Sequence, residues 1–273
     1  MKLSVVIPAH NGDEAFKKCL DALRRSKRVA DEIIVVDDAS TDETVINAAA
    51  AGCKIIKLQA PPGGAARARN KGAIEASGDI LVFVDADVAV HEDTLGCIEA
   101  GFKEHSEIAA LFGSYDDNPP NRNTVSLYKN LQHYYVHQKG KRETFTFWAG
   151  CGAVKRDVFA GVGGFDQARA KEGRPLMEDI EFGMRMVRRG HSIMLFPDIQ
   201  VTHLKKWNLT NWLRTEIFNR AIPWSKLIIT SGEIPNDLNL GVSSRISALT
   251  AWLLLFLIIA GFFSPMLWIC AGF

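Results

Sequence analysis

The sequence has no excess of charge of either sign, and this absence excludes one large class of partners. Among its 273 residues, 32 are lysine or arginine and 31 are aspartate or glutamate, so the formal net charge is +1 at pH 7. Proteins that hold nucleic acids by bulk electrostatic attraction carry a strong positive excess. We therefore expect no nucleic-acid partner.

Cysteine is scarce, and its spacing lacks any metal-binding or redox pattern. No CxxC pair and no cysteine–histidine cluster occurs, which argues against a zinc site and indicates reduced thiols in a cytosolic environment. The five cysteines are Cys19, Cys53, Cys97, Cys151 and Cys270.

The N-terminal segment MKLSVVIPAHN also lacks the long apolar core of a secretory leader, so nothing in it directs the chain out of the cytosol.

Formal charge is absent from the last 28 residues, 246–273, which read ISALTAWLLLFLIIAGFFSPMLWICAGF. This run is longer than the roughly 20 apolar residues that cross a bilayer, and Trp252 and Trp268 could lie at its interfaces. We predict a transmembrane segment that anchors the protein, with Pro265 ending the first span and a second, truncated span starting after it. A buried core helix is the alternative.

The first two hundred residues alternate strand-like and helix-like segments. Apolar runs such as LSVVIP, EIIVVDD, KIIKL and DILVFVD are separated by segments with helical spacing of their apolar residues. Strands buried on both faces and separated by helices predict an α/β fold with a mostly parallel sheet flanked by helices. Because ligands bind beyond the carboxyl ends of such strands, we expect Asn11, Asp38, Asp85 and Asp87 to lie at one binding edge.

The segment FVDADVAV, residues 83–90, breaks an apolar run with two carboxylates one residue apart. On a strand, Asp85 and Asp87 would point to the same face and repel unless a cation lay between them. Mg²⁺ and Mn²⁺ commonly bind through one or two carboxylates plus substrate phosphates. A strand end that enters a polar loop is the alternative. His203, after another strand-like run, could be a further ligand, although a lone histidine is more often structural.

A second acidic group opens the segment MEDIEFGMRMVRRG, residues 177–190, where Glu178 and Asp179 precede three arginines. Complementarity to the helix dipole explains this charge order. The glycine-rich stretch GVGGFDQARAKEGRPL before it, however, is typical of mobile loops beside substrate sites. Arg69 follows the third strand-like run and could face phosphates, or lie on a solvated helix face.

Five segments together resemble those of family 2 glycosyltransferases with the GT-A fold. They are SVVIPAHN, IIVVDDASTDET, ARNKGAIEASGDILVFVDADV, VGGFD and MEDIEFGMRMVRRG, in order between about residues 3 and 206. The resemblance implies a Rossmann-like, nucleotide-diphospho-sugar transferase domain in residues 1–206. We then expect interfacial or juxtamembrane helices in 207–245, where core packing explains the aromatic residues almost equally well, and the transmembrane segment in 246–273.

The same resemblance implies a role for each matching residue. A divalent cation, Mg²⁺ or Mn²⁺, would be held by Asp85 and Asp87, which match the DxD motif, and by His203 on a looser match. Asp179, with Glu178 beside it, matches the ED motif and would be the general base. The nucleotide sugar would be bound by Pro8, Ala9, Asn11, Asp38, Arg69 and Asp85.

The implied activity is the inverting transfer of one sugar from a nucleotide-diphosphate sugar, most often UDP-linked. The acceptor would be a hydroxyl or phosphate of a lipid or saccharide in cell-envelope glycan or glycolipid synthesis, with the catalytic domain on the cytoplasmic side of the membrane. Processive synthases carry a QxxRW motif, whereas this chain has only RAIPW at residues 220–224, which favours single transfer. The alternatives are a sugar-1-phosphate nucleotidyltransferase and an inactive membrane-tethered nucleotide-sugar binding protein.

Overall fold

A computed structural model describes residues 1–167, 177–232, 238 and 241–261 of the chain. The chain divides into two compact units, Met1–Gly232 and Glu233–Phe273. The boundaries expected at 206/207 and 245/246 stay predictions.

The first unit contains one nine-stranded sheet, in which the strand order is β3-β2-β1-β4-β8-β6-β9-β5, with β7 also beside β9. The strands are β1 (Leu3–Ala9), β2 (Glu32–Asp37), β3 (Lys54–Lys57), β4 (Ile80–Val84), β5 (Val88–Val90), β6 (Ala110–Tyr115), β7 (Glu143–Thr144), β8 (Cys151–Lys155) and β9 (Ile193–His203).

Helices flank this sheet. Those of the first unit are α1 (Asp13–Arg24), α2 (Thr44–Ala50), α3 (Ala65–Glu75), α4 (Thr94–Glu104), α5 (Thr124–Lys139), α6 (Arg156–Val162), α7 (Glu178–Arg188), α8 (Leu209–Arg214) and α9 (Ile222–Ser231), with a π-helical segment at Thr215–Ala221 between the last two. The second unit contains α10 (Val242–Gly261).

The sheet is mixed, so the prediction of a mostly parallel sheet is wrong in this respect, while the α/β class is confirmed. Strands β3, β2, β1 and β4 run parallel to one another, as do β6 and β9. Between these two groups, β8 is antiparallel to both β4 and β6, and β5 and β7 are antiparallel to β9. Apolar periodicity marks a strand but not its direction, and for this reason the sequence pattern did not reveal the reversal.

The predicted membrane-anchored location, with the catalytic domain on the cytoplasmic side, is wrong for the part of the chain that the structure describes. Within that part, no helix has both the length and the apolar character needed to cross a bilayer. Helix α10 also contains a charged residue, Arg245, near its start. The predicted second span, after Pro265, lies outside the described residues.

The aromatic residues that follow β9 pack in part against α5. Trp207 is buried, and its backbone N–H donates to Ser126 Oγ at 2.8 Å. Trp212 meets the ring of Tyr128 edge-on, with the ring centroids 5.6 Å apart. Core packing, the alternative to an interfacial role, therefore accounts for Trp207, whereas Phe218 is exposed.

Helix α7 approaches the loop of residues 145–150 at a glycine. A Cβ added at Gly183 would lie 2.4 Å from the backbone N of Phe147 and 2.6 Å from the backbone C of Thr146. Backbone atoms cannot move aside as a flexible side chain can. The close approach therefore fixes how far α7 stands from the loop that leads into β8.

We expect Gly183→Ala to lower the melting temperature, because overpacking against backbone typically costs about 1–3 kcal/mol. Gly161→Ala is the matched control, since Gly161 also lies in a helix and a Cβ there would meet nothing within 4 Å. Thermal unfolding followed by circular dichroism measures both variants. Equal melting temperatures for the two would contradict the close approach.

Candidate active site

A cavity of about 1030 Å³ opens beside the carboxyl ends of β1 and β4. It brings together seven of the residues predicted for the site: Pro8, Ala9, Asn11, Asp38, Arg69, Asp85 and Asp87. Glu178, Asp179 and His203 are not among the lining residues. Glu178 pairs with Arg69 and His203 lies beside Asp87, both of which line the cavity, and Asp179 follows Glu178 on α7.

The sequence pattern placed Asp85 and Asp87 on a strand. In the structure they instead belong to a tight turn that follows β4. Strand β4 ends at Val84, and the backbone N–H of Val88 donates to the carbonyl of Asp85 at 3.1 Å. The backbone N–H of Asp85 in turn donates to the carbonyl of Gly150 at 3.3 Å. The two carboxylates still line the same cavity, because the turn presents both of them to it.

Asp38 and Asn11 shape the loops around the cavity as well as lining it. The carboxylate of Asp38 accepts the backbone N–H groups of Gly63 and Gly64 at 2.9 and 2.7 Å, just before α3 begins. The side-chain oxygen of Asn11 accepts the backbone N–H of Thr41 at 2.9 Å. Both side chains are thus part of the framework that forms this end of the cavity.

Arg69 joins the cavity to the start of α7. Its Nη2 lies 2.6 Å from Asp85 Oδ1, and its Nη1 lies 2.8 Å from Glu178 Oε1. The side chain is only 6% exposed. Burial opposes the charged form, but the neighbouring carboxylates of Asp85, Glu178 and Asp179 outweigh it and hold the pKa of Arg69 above its ordinary value.

Asp179 is a half-buried carboxylate with a raised pKa. Its oxygens accept the backbone N–H groups of Ile180 at 2.9 Å and Ala149 at 3.5 Å. Burial and the charge of Glu178 raise the pKa of Asp179 to about 6, although Arg69 acts in the opposite direction. A carboxylate with such a pKa can take up a proton near neutral pH, as a general base requires.

His203 contacts the second acid of the turn. Its Nε2 lies 3.7 Å from Asp87 Oδ2, and its ring stacks on Tyr115 with the centroids 4.3 Å apart. Burial opposes the ionisation of Asp87, but the contact with His203 and the charge of Lys205 outweigh it and lower the pKa of Asp87. Asp87 is therefore held as a carboxylate at neutral pH.

The chemistry of Asp85, Asp87 and His203 fits a divalent cation, although they do not form a complete site by themselves. Among the described residues, no three His, Cys, Asp or Glu side chains are already gathered closely enough to hold a metal ion. Two carboxylates and an imidazole are suitable ligands for Mn²⁺, and phosphate oxygens of a substrate commonly complete such a site.

Sequence reasoning missed three lysines at this site. Lys205 and Lys206 line the cavity, as does Lys18 from α1. The ammonium of Lys205 lies 4.6 Å from the ring centroid of Trp207. The signal for Lys205 and Lys206 was present in the segment LKKW directly after β9, but basic residues beside a strand are too common to be assigned to a site from sequence alone.

The VGGFD motif forms a junction with α3, which sequence reasoning also missed. The side chain of Asn70 accepts the backbone N–H of Phe165 at 2.8 Å and donates to the Phe165 carbonyl at 2.7 Å. Gly164 has φ +66°, and a Cβ there would lie 2.7 Å from the Asn70 side chain. The glycine-rich stretch continues into residues 168–176, which lie outside the described residues.

Comparisons with known proteins agree with the resemblance found in the sequence. The model of the family described as Glycosyl transferase family 2 matches residues 4–163. The Bacillus subtilis (strain 168) protein named "Probable glycosyltransferase YdaM" is 27% identical over 211 residues, covering 72% of this chain and 49% of that protein. The chain thus spans about half the length of this relative.

Solved structures share the fold. Staphylococcus aureus TarS 1–349, solved in complex with UDP-GlcNAc, has a TM-score of 0.58 at 21% identity, covering 76% of this chain and 60% of that one. The mannosyltransferase PcManGT of Pyrobaculum calidifontis, solved with GDP-Man and Mn²⁺, has a TM-score of 0.60 at 19% identity, covering 97% and 81%. The predicted GT-A-like architecture is therefore confirmed.

We expect the pH dependence of stability to report the ionisation of Asp179. The folded-state pKa of about 6 exceeds the ordinary 3.8, so the ionised carboxylate is disfavoured by folding. Stability from this group is fully present below about pH 4 and is lost as pH rises through about 6. The melting temperature of Asp179→Asn minus that of wild type should therefore increase from pH 4.5 to pH 7.5. Asp198→Asn, whose side chain is 89% exposed, should show no such trend. A difference in melting temperature that does not change with pH for Asp179→Asn would contradict the raised pKa of this carboxylate.

Proposed function

The chain belongs to glycosyl transferase family 2, and from this premise we propose that it transfers a single sugar, with inversion, from a nucleotide-diphosphate sugar to an acceptor hydroxyl or phosphate. The observation that carries the proposal is the ion pair of Arg69 with Asp85 and Glu178, which connects an acid-lined cavity to the start of the helix that carries Asp179, a half-buried carboxylate with a pKa of about 6.

The cavity suits the nucleotide diphosphate of a donor. Pro8, Ala9, Asn11 and Asp38 would line the part that takes the nucleoside, as the family resemblance implies. Lys18, Lys205 and Lys206 add positive charge to the same cavity, which favours a diphosphate. UDP is the proposed nucleotide, since TarS was solved with UDP-GlcNAc, and GDP is the competing one, since PcManGT was solved with GDP-Man.

Asp85, Asp87 and His203 would hold a Mg²⁺ or Mn²⁺ ion at the cavity. When bound, the ion supplies a fixed positive charge that stabilises the leaving diphosphate. The side chains prepare this position in two ways: the turn at residues 85–88 presents both carboxylates, and His203 with Lys205 keeps Asp87 ionised.

Asp179 would accept the proton that the acceptor hydroxyl loses as it attacks the anomeric carbon. Its burial raises the pKa toward the working pH, at which a base is both ionised and able to hold a proton. A single base opposite the leaving group implies inversion of configuration. The acceptor class stays a prediction: a saccharide or lipid group, with one sugar added because the chain lacks a QxxRW motif.

We expect kcat/KM for sugar transfer to rise with pH through about 6, since Asp179 must be ionised to act as the base. Asp179→Asn should abolish transfer while donor binding, measured by isothermal titration calorimetry, remains. A panel of radiolabelled UDP- and GDP-sugars, tested against saccharide and lipid acceptors, provides the assay. Wild-type rates in Asp179→Asn would remove this residue from the mechanism, and pyrophosphate exchange without sugar transfer would favour a nucleotidyltransferase.

Removal of divalent cations should lower transfer by roughly 100-fold or more, because the ion's charge on the leaving group is worth several kcal/mol. Asp87→Asn should weaken Mn²⁺-dependent binding of the donor, again measured by calorimetry. Asp198→Asn, an exposed acid, serves as the control. Full activity in excess EDTA would rule out the cation.

A further inference from the structure

Arg69 is buried and pairs with an acid on each side of the site. Its two terminal nitrogens reach different acids, Asp85 at 2.6 Å and Glu178 at 2.8 Å. These acids come from the turn after β4 and from the first residue of α7, so the guanidinium spans two elements that are distant in the sequence. A planar guanidinium presents its donors in a fixed fork, and such pairing is directional.

The position of the guanidinium is fixed by more than its two acids. Its Cζ lies 5.7 Å from the ring centroid of Phe165, in a cation–π contact. Phe165 is held in turn by the two hydrogen bonds between its backbone and the side chain of Asn70, the residue that follows Arg69 on α3. Two consecutive residues of α3 therefore contact Phe165: Arg69 through its guanidinium and Asn70 through its side-chain amide.

We propose that Arg69 is a positioning residue that couples the donor side of the reaction to the acceptor side. Its guanidinium holds the carboxylate of Asp85 at the donor cavity and that of Glu178 at the start of the helix that carries Asp179. The inference rests on the proposed function, in which Asp85 faces the donor diphosphate and Asp179 accepts the acceptor's proton. In that function, the guanidinium of Arg69 sets the position of Asp85 relative to the helix that carries Asp179.

The charges around Asp179 predict the direction in which its pKa should move when one of them is removed. Among the described residues, Glu178 on its own helix raises the pKa of Asp179, and Arg69 on α3 lowers it. The loop before β8 contributes the backbone N–H of Ala149, which also lowers it. Loss of the positive charge at position 69 should therefore raise the pKa of Asp179, and loss of the negative charge at position 178 should lower it.

The first measurement is a titration of Asp179 in the protein without donor or metal, by ¹³C NMR of the aspartate carboxyl carbons. The resonance missing from Asp179→Asn identifies the residue. Arg69→Met should move its midpoint upward by about one pH unit, the scale of a neighbouring opposite charge, and Glu178→Gln should move it downward. Arg67→Met is the matched control, since Arg67 lies on the same helix and, among the described residues, its Nη1 bonds to the carbonyls of Gln59 and Pro61, each at 3.4 Å, and to no acid.

The second measurement separates position from charge. Arg69→Lys keeps a positive charge, but a single ammonium lacks the fork that reaches both carboxylates. We expect this variant to retain the acidic limb of the wild-type pH profile while kcat falls at least ten-fold, with folding checked by circular dichroism. If Arg69→Met does not fold, Arg69→Lys and Glu178→Gln decide the question.

The outcomes distinguish this inference from the proposed function. If Asp179→Asn abolishes transfer but Arg69→Lys keeps the wild-type kcat, or if the Asp179 midpoint is the same in wild type, Arg69→Met and Glu178→Gln, the coupling role is overturned and the function stands. If Asp179→Asn retains transfer, the proposed base is wrong, whatever the titration shows. A shifted midpoint together with a lowered kcat in Arg69→Lys supports the coupling.

Discussion

A positive charge buried between two carboxylates constrains this site more than any other contact. Such a charge is tolerated only while its partners remain, because an unpaired buried ion typically costs about 3–5 kcal/mol. Arg69 can meet Asp85 and Glu178 only if α3 lies close to the sheet, and Gly72 permits this: a Cβ there would lie 2.4 Å from Val6 Cγ1 on β1. The position of one helix thus determines the geometry of both acids.

Aromatic packing beneath this ion pair supports the same elements. Phe83 on β4 and Phe182 on α7 each contact Phe165, with centroids 5.2 and 5.0 Å apart. Phe147, from the loop before β8, lies 5.6 Å from Phe182. Phe83 precedes Asp85 by two residues and Phe182 follows Asp179 by three, so the apolar cluster and the polar network hold the same two elements.

Local patterns in the sequence predicted much of the molecule, and non-local pairing accounts for most of what they did not predict. The apolar runs in the sequence correctly indicated β1, β2, β3 and β4. The two acids of the DxD motif line the cavity. The partner of Arg69, however, lies 109 residues away, and no periodicity reveals such a contact. The direction of β8 was hidden for the same reason. Apolarity alone also led to the membrane prediction, which is wrong for the described residues because no helix among them is both long and apolar enough to cross a bilayer.

The two bonds from Asp38 to the glycines before α3 affect how the nucleotide pocket could change during evolution or engineering. A side chain that forms the pocket and also holds its neighbouring loop cannot be replaced to suit a new base without moving that loop. His10 also lines the cavity, with its ring Nδ1 2.8 Å from the Asp38 carbonyl and its Nε2 3.3 Å from the side-chain nitrogen of Asn11, and neither contact holds the loop before α3. Changes in nucleotide preference are therefore structurally easier at position 10 than at position 38.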